Sequence, residues 1–345
     1  MNVEMEELSN DINKQPELFR RHKQDVLKIP QNIAEAVCGH DVVLTGIATS
    51  LYALEGAFSI LNMQHQVTHQ LINTCDLLDY SYPQEKDMRP LIVVSRSGES
   101  AETVRLIKGI DRDRIVIGIT EGHSGPLAER AGVCLGFCAN EQAFPNTASF
   151  TLSQIYGLAV MWGLGFKSKK PLNELLDELY NCSVEVLSHE KAGEEIGALI
   201  ASAQGVLLEG QGCLAGVANQ YALDLHESGT LGISVTGGIM RHGVMELTRR
   251  ADVVTLMLIP DDNTAFRKIG LAEELCAQGS SVAVLTNCIH PISVSVPVFR
   301  LPKCPIELSS ILFTLGMQKI YESYIIRKGL KSLRPSLVGK ITRRE

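Results

Sequence analysis

The chain has 345 residues, more than one core of ordinary size, with 45% hydrophobic residues, 5% aromatics and a formal net charge of −7. That acidity argues against nucleic acid as the main partner, because the basic residues of the tail (Lys328, Lys331, Arg334, Lys340, Arg343 and Arg344) are scattered rather than clustered. The longest apolar run, around Ile155 to Phe166, is too short for a membrane span. No basic-then-apolar leader opens the sequence, and nine cysteines without CxxC spacing read as reduced thiols of a cytoplasmic protein.

In chain order, Leu18, Phe19, Val26, Leu27 and Ile33 fall at helical spacing, so residues 1–40 are expected to form a helical lead-in. A β-branched apolar run, Asp41 to Ser50, follows as a strand ending in a glycine turn, and a helix is expected from Leu51 to about Met63. Leu91–Val94 is the next strand. It runs into Ser95-Arg96-Ser97-Gly98-Glu99-Ser100 and a helix through Ile107. Arg114–Thr120 is a third strand, again followed by a helix. Strand, turn and helix alternate, which predicts a parallel, doubly wound α/β sheet.

The pattern then returns. Gly205–Gly210 reads as a strand, followed by a helix to Glu227, and strands are expected at Asp252–Pro260 and Ser281–Thr286. Gly210 follows Gly46, and Pro260 follows Ser95, at nearly equal offsets of about 165 residues, the mark of a tandem duplication. The join falls near Ser168–Pro171, ahead of a charged helix over about Leu172–Leu199. The expected organisation is a lead-in over 1–40, a first phosphate-binding domain over 41–170, a linker helix over 171–200, a second domain over 201–330 and a tail over 331–345.

The two halves differ in chemistry. Ser95–Ser100 joins a buried strand to a helix start, where free backbone N–H groups, hydroxyls and the helix dipole favour an anion. The plainer reading of the same residues is an ordinary helix cap. Thr49 and Ser50, at the end of the neighbouring strand, favour the anion site, and Arg96 either adds charge to it or points elsewhere. The second half has Pro260-Asp261-Asp262-Asn263-Thr264 at the matching place, where carboxylates repel phosphate. Glu227 and His226 close a helix and read, on residue type alone, as solvated surface groups, and His242 sits in a loop after Gly237-Gly238. No HExxH, CxxC or Walker loop is present, so neither a metal nor another cofactor is expected.

These residues carry a resemblance. Gly46-Ile47-Ala48-Thr49-Ser50, the Ser95–Ser100 loop and Asn146-Thr147-Ala148-Ser149-Phe150-Thr151 resemble the sugar isomerase (SIS) family, whose loop reads Ser-Gln-Ser-Gly-Glu-Thr; here Arg96 replaces Gln and Ser100 replaces Thr. The tandem arrangement resembles the isomerase half of glucosamine-6-phosphate synthase, and the size is closer to fructosamine-6-phosphate deglycases and aminosugar-phosphate deaminase/isomerases. The resemblance implies two Rossmann-like (flavodoxin-like) SIS domains in tandem. It places the phosphate on Thr49, Ser50, Ser95, Arg96, Ser97 and Ser100, acid/base work on Glu227, ring opening on His242, and a further catalytic residue, Lys340, on the tail near the active site. Asp224 and Ala148 stand where the synthase has lysines, and the tail lysine is shifted by one place. With no glutamine-hydrolysing domain in the chain, the implied enzyme acts on a 6-phosphorylated amino sugar or fructosamine (Amadori) substrate by proton transfer between C1 and C2. Such a deglycase or deaminase/isomerase is expected as a homodimer with shared sites. The alternative is a non-catalytic sugar-phosphate sensor.

Overall fold

The computed structural model describes residues 3–64, 68–188 and 193–344. Three helices open it: α1 (Val3–Asn13), α2 (Gln15–Val26) and α3 (Ile29–Val37). Pro16 and Pro30 lie in the first turns of α2 and α3, where a missing N–H leaves no helical bond unmade. Leu8, Ile12, Leu18, Phe19, Ile29 and Ile33 bury one face of these helices.

The first α/β unit runs β1 (Val43–Gly46), α4 (Thr49–Asn62), β2 (Gln70–Asn73), α5 (Thr74–Asp79), β3 (Leu91–Val94), α6 (Ala101–Gly109), β4 (Val116–Glu121), α7 (Pro126–Arg130), β5 (Val133–Phe137) and α8 (Ala148–Gly163). Two helices follow, α9 (Leu172–Ser188) and α10 (Glu194–Ser202). The second unit runs β6 (Gly205–Glu209), α11 (Ala215–Glu227), β7 (Leu231–Val235), α12 (Met245–Thr248), β8 (Val253–Ile259), α13 (Ala265–Ala277), β9 (Ser281–Thr286), β10 (Val298–Arg300) and α14 (Ile306–Lys328).

Among the described residues each sheet has five strands, ordered β2-β1-β3-β4-β5 and β10-β9-β8-β6-β7, and every pairing there is parallel. Numbered within its own unit, each reads 2-1-3-4-5. Gly46 and Gly210 therefore close equivalent strands, as do Ser95 and Pro260. The periodicity missed the strands that border or lie near solvent: β2 begins on an exposed Gln70, and β5, β7 and β10 are only partly buried. It also missed α14, which is enclosed on nearly every side by core and so has no one-sided apolar stripe to read. The single charged helix expected over 172–199 is two helices, and the strand expected over 41–50 is only Val43–Gly46, with α4 starting at Thr49.

Strand alternation sorts the side chains into three cores. Leu44, Ile92, Val94, Ile117 and Ile119 of the first sheet share one core with Val206, Leu208, Leu256, Leu258 and Leu285 of the second. Helices α4, α8, α11 and α14 fill the space between. The opposite faces close two smaller cores, one holding Val43, Leu91 and Val93, the other Leu207, Met257 and Ile259. One shared core fixes the two sheets against each other, as a site built from both requires. The contact depends on Gly216 of α11, where a Cβ would stand 2.2 Å from the Tyr52 carbonyl oxygen of α4. Gly212, just before α11, lies beside Ser59, Gly216 lies beside Tyr52, and Asn219 Nδ2 donates to Glu55 Oε2 at 2.8 Å, so the first turns of α11 cross α4.

Candidate active site

The end of β1 is a tight turn. Ala48 takes φ 48° and ψ −126°, a conformation that side chains with a Cβ rarely adopt, and α4 begins at the next residue. Strain of this kind, of order 1–3 kcal/mol, gathers where the chain positions a ligand. At the end of β3 the serine loop turns through Gly98, with φ 65°, packed against Thr120 and Leu127. The Ser97 hydroxyl accepts from the Glu99 N–H at 3.2 Å, and the Ser100 and Thr103 hydroxyls lie 2.7 Å apart. β1 and β3 are neighbours in the sheet although β2 separates them in sequence. Their carboxyl ends therefore flank the switch point at which open α/β sheets bind ligands.

A cavity of about 640 Å³ opens at this point. Thr49, Ser50, Ser95, Arg96, Ser97 and Ser100 line it from the first sheet, and Leu223, His226 and Glu227 line it from the last turns of α11. The third wall is the tail, residues 335–342, with Lys340 facing in. Eight of the nine residues expected at the site thus meet in one cavity. His242 does not: it sits on an exposed turn after Ile239–Arg241, its N–H donating to the Ile239 carbonyl at 2.8 Å, outside the cavity of its own chain.

The electrostatics divide the cavity. At the serine end, Arg96 is shared with Glu121, Nη1 to Oε2 being 3.4 Å. Asn146, which also lines the cavity, has a buried side-chain oxygen with no hydrogen-bond partner among the described residues. At the other end, burial pushes the Glu227 carboxyl up to about 7, against an opposing pull from Lys340. Asp224, one turn earlier, is buried and accepts from Gln220 Nε2 at 2.8 Å. Burial first, and then the Glu227 charge, hold Asp224 well above the usual carboxylate range. A carboxyl poised near neutrality at one end and hydroxyl donors at the other can hold an anion while moving a proton.

Sequence reasoning missed Glu141. Its carboxylate is fully buried, accepting from the N–H and hydroxyl of Thr147 at 2.7 and 3.0 Å and from those of Ser149 at 3.2 and 2.8 Å. It thereby caps α8 and also receives Lys340 Nζ at 3.2 Å. Lys340 donates a second bond to the Ala143 carbonyl at 2.5 Å. The tail is further tied by the Ala101 N–H to the Thr342 carbonyl at 3.0 Å. Nothing in the sequence around Glu141 signals this role; Lys340 and the Asn146–Thr151 motif could have pointed to it only once folded together.

The fold is thus a doubled 2-1-3-4-5 parallel α/β arrangement with a cavity at the strand ends between the halves. No family model matches the chain. It is 24% identical over 344 residues to a glutamine–fructose-6-phosphate aminotransferase (isomerizing) of Pyrococcus horikoshii, covering 96% of this chain and 56% of that protein. The chain thus spans about half the length of the curated relatives it matches. Among solved structures, the C-terminal domain of glucosamine-fructose-6-phosphate aminotransferase from Francisella tularensis superposes with a TM-score of 0.82 at 16% identity, covering 95% of this chain and 98% of that one. Tagatose-6-phosphate ketose/aldose isomerase from Escherichia coli gives 0.78 at 20% identity, with 96% of each chain covered. These relatives and structures agree with the resemblance to the SIS (sugar isomerase) family read from the sequence.

Proposed function

We propose that this chain binds a 6-phosphorylated amino sugar or fructosamine and moves a proton between C1 and C2, as a deglycase or deaminase/isomerase. The observation that carries this reading is the Glu227 carboxyl, held near neutrality in a cavity whose opposite end is lined by hydroxyls and strand-end turns. The phosphate sits against Thr49, Ser50, Ser95, Ser97 and Ser100, with Arg96 adding charge. Anchoring that end fixes C1 and C2 in front of Glu227. Glu227 takes the proton from one carbon and returns it to the other through an enediol or enolamine. With a fructosamine, hydrolysis then releases an amine and a sugar phosphate; with an aminosugar it releases ammonia and a ketose phosphate. Lys340 closes the tail over the substrate. The deciding experiment is exchange of the C1 or C2 hydrogen in deuterated solvent, followed by NMR across 6-phosphorylated fructosamines and hexosamines. Tight binding without exchange on any of them would leave a sensor rather than an enzyme.

The phosphate assignment predicts that Ser97→Ala weakens phosphosugar binding by about 1.5–3 kcal/mol, tenfold to somewhat over a hundredfold. Titration calorimetry checks this, and unchanged affinity would remove the serine loop from the site.

His242 lies outside its own chain's cavity, so its ring-opening role requires a second subunit whose site it enters. A homodimer with shared sites is part of the proposal. His242→Ala and Glu227→Gln are each expected to be inactive. Dissociated and reassociated together, they are expected to regain activity toward about a quarter of wild type, because half of randomly paired dimers carry one intact site. No recovery despite proven exchange of subunits would place both residues in one chain's site.

A further inference from the structure

The second sheet has its own carboxyl edge, and the serine loop has no counterpart there. Two loops meet at that edge, one after β8 carrying Asp261 and one after β9 carrying Cys288 and His290. The donor atoms of these three side chains all lie within 4.8 Å of one another. They come from opposite ends of a strand–helix–strand unit, so no motif spacing announces them.

We propose that Asp261, Cys288 and His290 form a three-donor site for a borderline divalent cation of the zinc type. A sulfur, an imidazole nitrogen and a carboxylate oxygen are the donor set zinc takes, with a fourth position left for water or another ligand. Neither magnesium nor calcium selects a thiolate.

The backbone that presents the donors is braced. The Asp261 N–H donates to Asn287 Oδ1 at 2.7 Å, which ties the two loops together. The Thr286 hydroxyl donates to the Ile259 carbonyl at 2.7 Å and accepts from the Cys288 N–H at 2.9 Å. Arg300 Nη1 holds the Cys288 carbonyl at 2.7 Å. The His290 ring lies against Phe266 with centroids 4.2 Å apart, which restricts its orientation. Support of this kind is what holds metal ligands in place.

Cys288 is buried, while Asp261 and His290 are half-buried, so the cluster has a deep anchor and an open side. The neighbouring Asp262 is already committed, accepting from the N–H and hydroxyl of Thr264 at 2.7 and 2.6 Å, which leaves Asp261 as the available carboxylate. Asp261 Oδ2 has Lys303 Nζ at 3.4 Å, and that lysine side chain is 69% exposed, so a cation can displace it into solvent. A tetrahedral zinc ion sets its donor atoms roughly 3.3–3.8 Å apart, so the cluster closes by about 1 Å through side-chain rotation. The bound ion would clamp the β8 and β9 loops, independently of the sugar site on the first sheet.

The test uses the full chain stripped by a chelator and titrated with Co²⁺ as the probe, then with Zn²⁺ in competition. One Co²⁺ per chain is expected, with a thiolate-to-cobalt charge-transfer band that Zn²⁺ abolishes. Cys288→Ser is expected to remove the band, and His290→Ala to weaken binding on the order of 100-fold or more. His290 is on the open side, so its variant serves even where Cys288→Ser does not fold. Zn²⁺ is also expected to raise the melting temperature of the wild type and not of His290→Ala. Failure of the wild type to bind Co²⁺ would overturn the proposal. So would a band that persists in the Cys288→Ser, His290→Ala double variant, since another of the nine cysteines would then hold the ion.

Discussion

Glu227→Gln is expected to lower turnover by about 10²–10⁴-fold while leaving phosphosugar affinity nearly unchanged. The amide keeps the shape of the side chain and cannot accept the proton. Exchange of the substrate C1 or C2 hydrogen with solvent should vanish with it. The wild-type kcat/KM should rise with pH as the carboxyl ionises through about 7, and that limb should be absent from the variant's residual rate. The same substitution has an opposite effect on stability. The folded-state pKa is raised from 4.5 to about 7, so the folded protein resists ionising Glu227 while the unfolded chain does not. That cost is absent below pH 4.5, grows between the two values and is complete above about 7. Glutamine never ionises. Glu227→Gln is therefore expected to be more stable than wild type by about 2–3 kcal/mol at pH 8 and to lose that advantage near pH 4.5. Denaturant melts at both pH values check this. A variant that lost activity and also stability at pH 8 would mean that the carboxylate is held by interactions in the fold rather than strained by burial.

Glu141→Ala is expected to destabilise the protein by about 3–5 kcal/mol. The carboxylate is fully buried, and its removal leaves the Thr147 and Ser149 N–H and hydroxyl groups without their acceptor at the start of α8. Lys340 also loses its charge partner, so the tail loses one of its ties over the cavity. Urea unfolding measures the first effect. The second should appear as weaker phosphosugar binding and greater protease sensitivity of residues 335–342. Glu141→Gln keeps one acceptor oxygen and should recover part of the stability while Lys340 still lacks its charge partner. If Glu141→Ala melts like the wild type, the α8 cap is not held by this carboxylate in solution.

Much of this molecule was legible in its residues. β1, β3, β6, β8 and β9 are short, apolar and buried, so their hydrophobic runs declared them, and their spacing pointed to the repeated strand order. The serine loop between β3 and α6 was legible because its hydroxyls, glycine and helix start lie in one continuous stretch of chain. Folding decided the rest, because the remaining parts depend on groups far apart in the chain. β2, β5, β7 and β10 border or lie near solvent and take their strand conformation from a paired neighbour more than from their own pattern. α14 shows no amphipathic stripe because core surrounds it. Glu227 looks like any solvated helix-end carboxylate until folding brings the last turns of α11 into one cavity with Thr49 and Ser50, where lost hydration raises its pKa. Glu141 and Lys340 are almost 200 residues apart, and only closure of the tail over α8 makes them a pair. Sequence fixes chemistry that needs neighbours along the chain; a carboxyl's proton affinity depends on which distant surfaces exclude water from it, and that is decided in three dimensions.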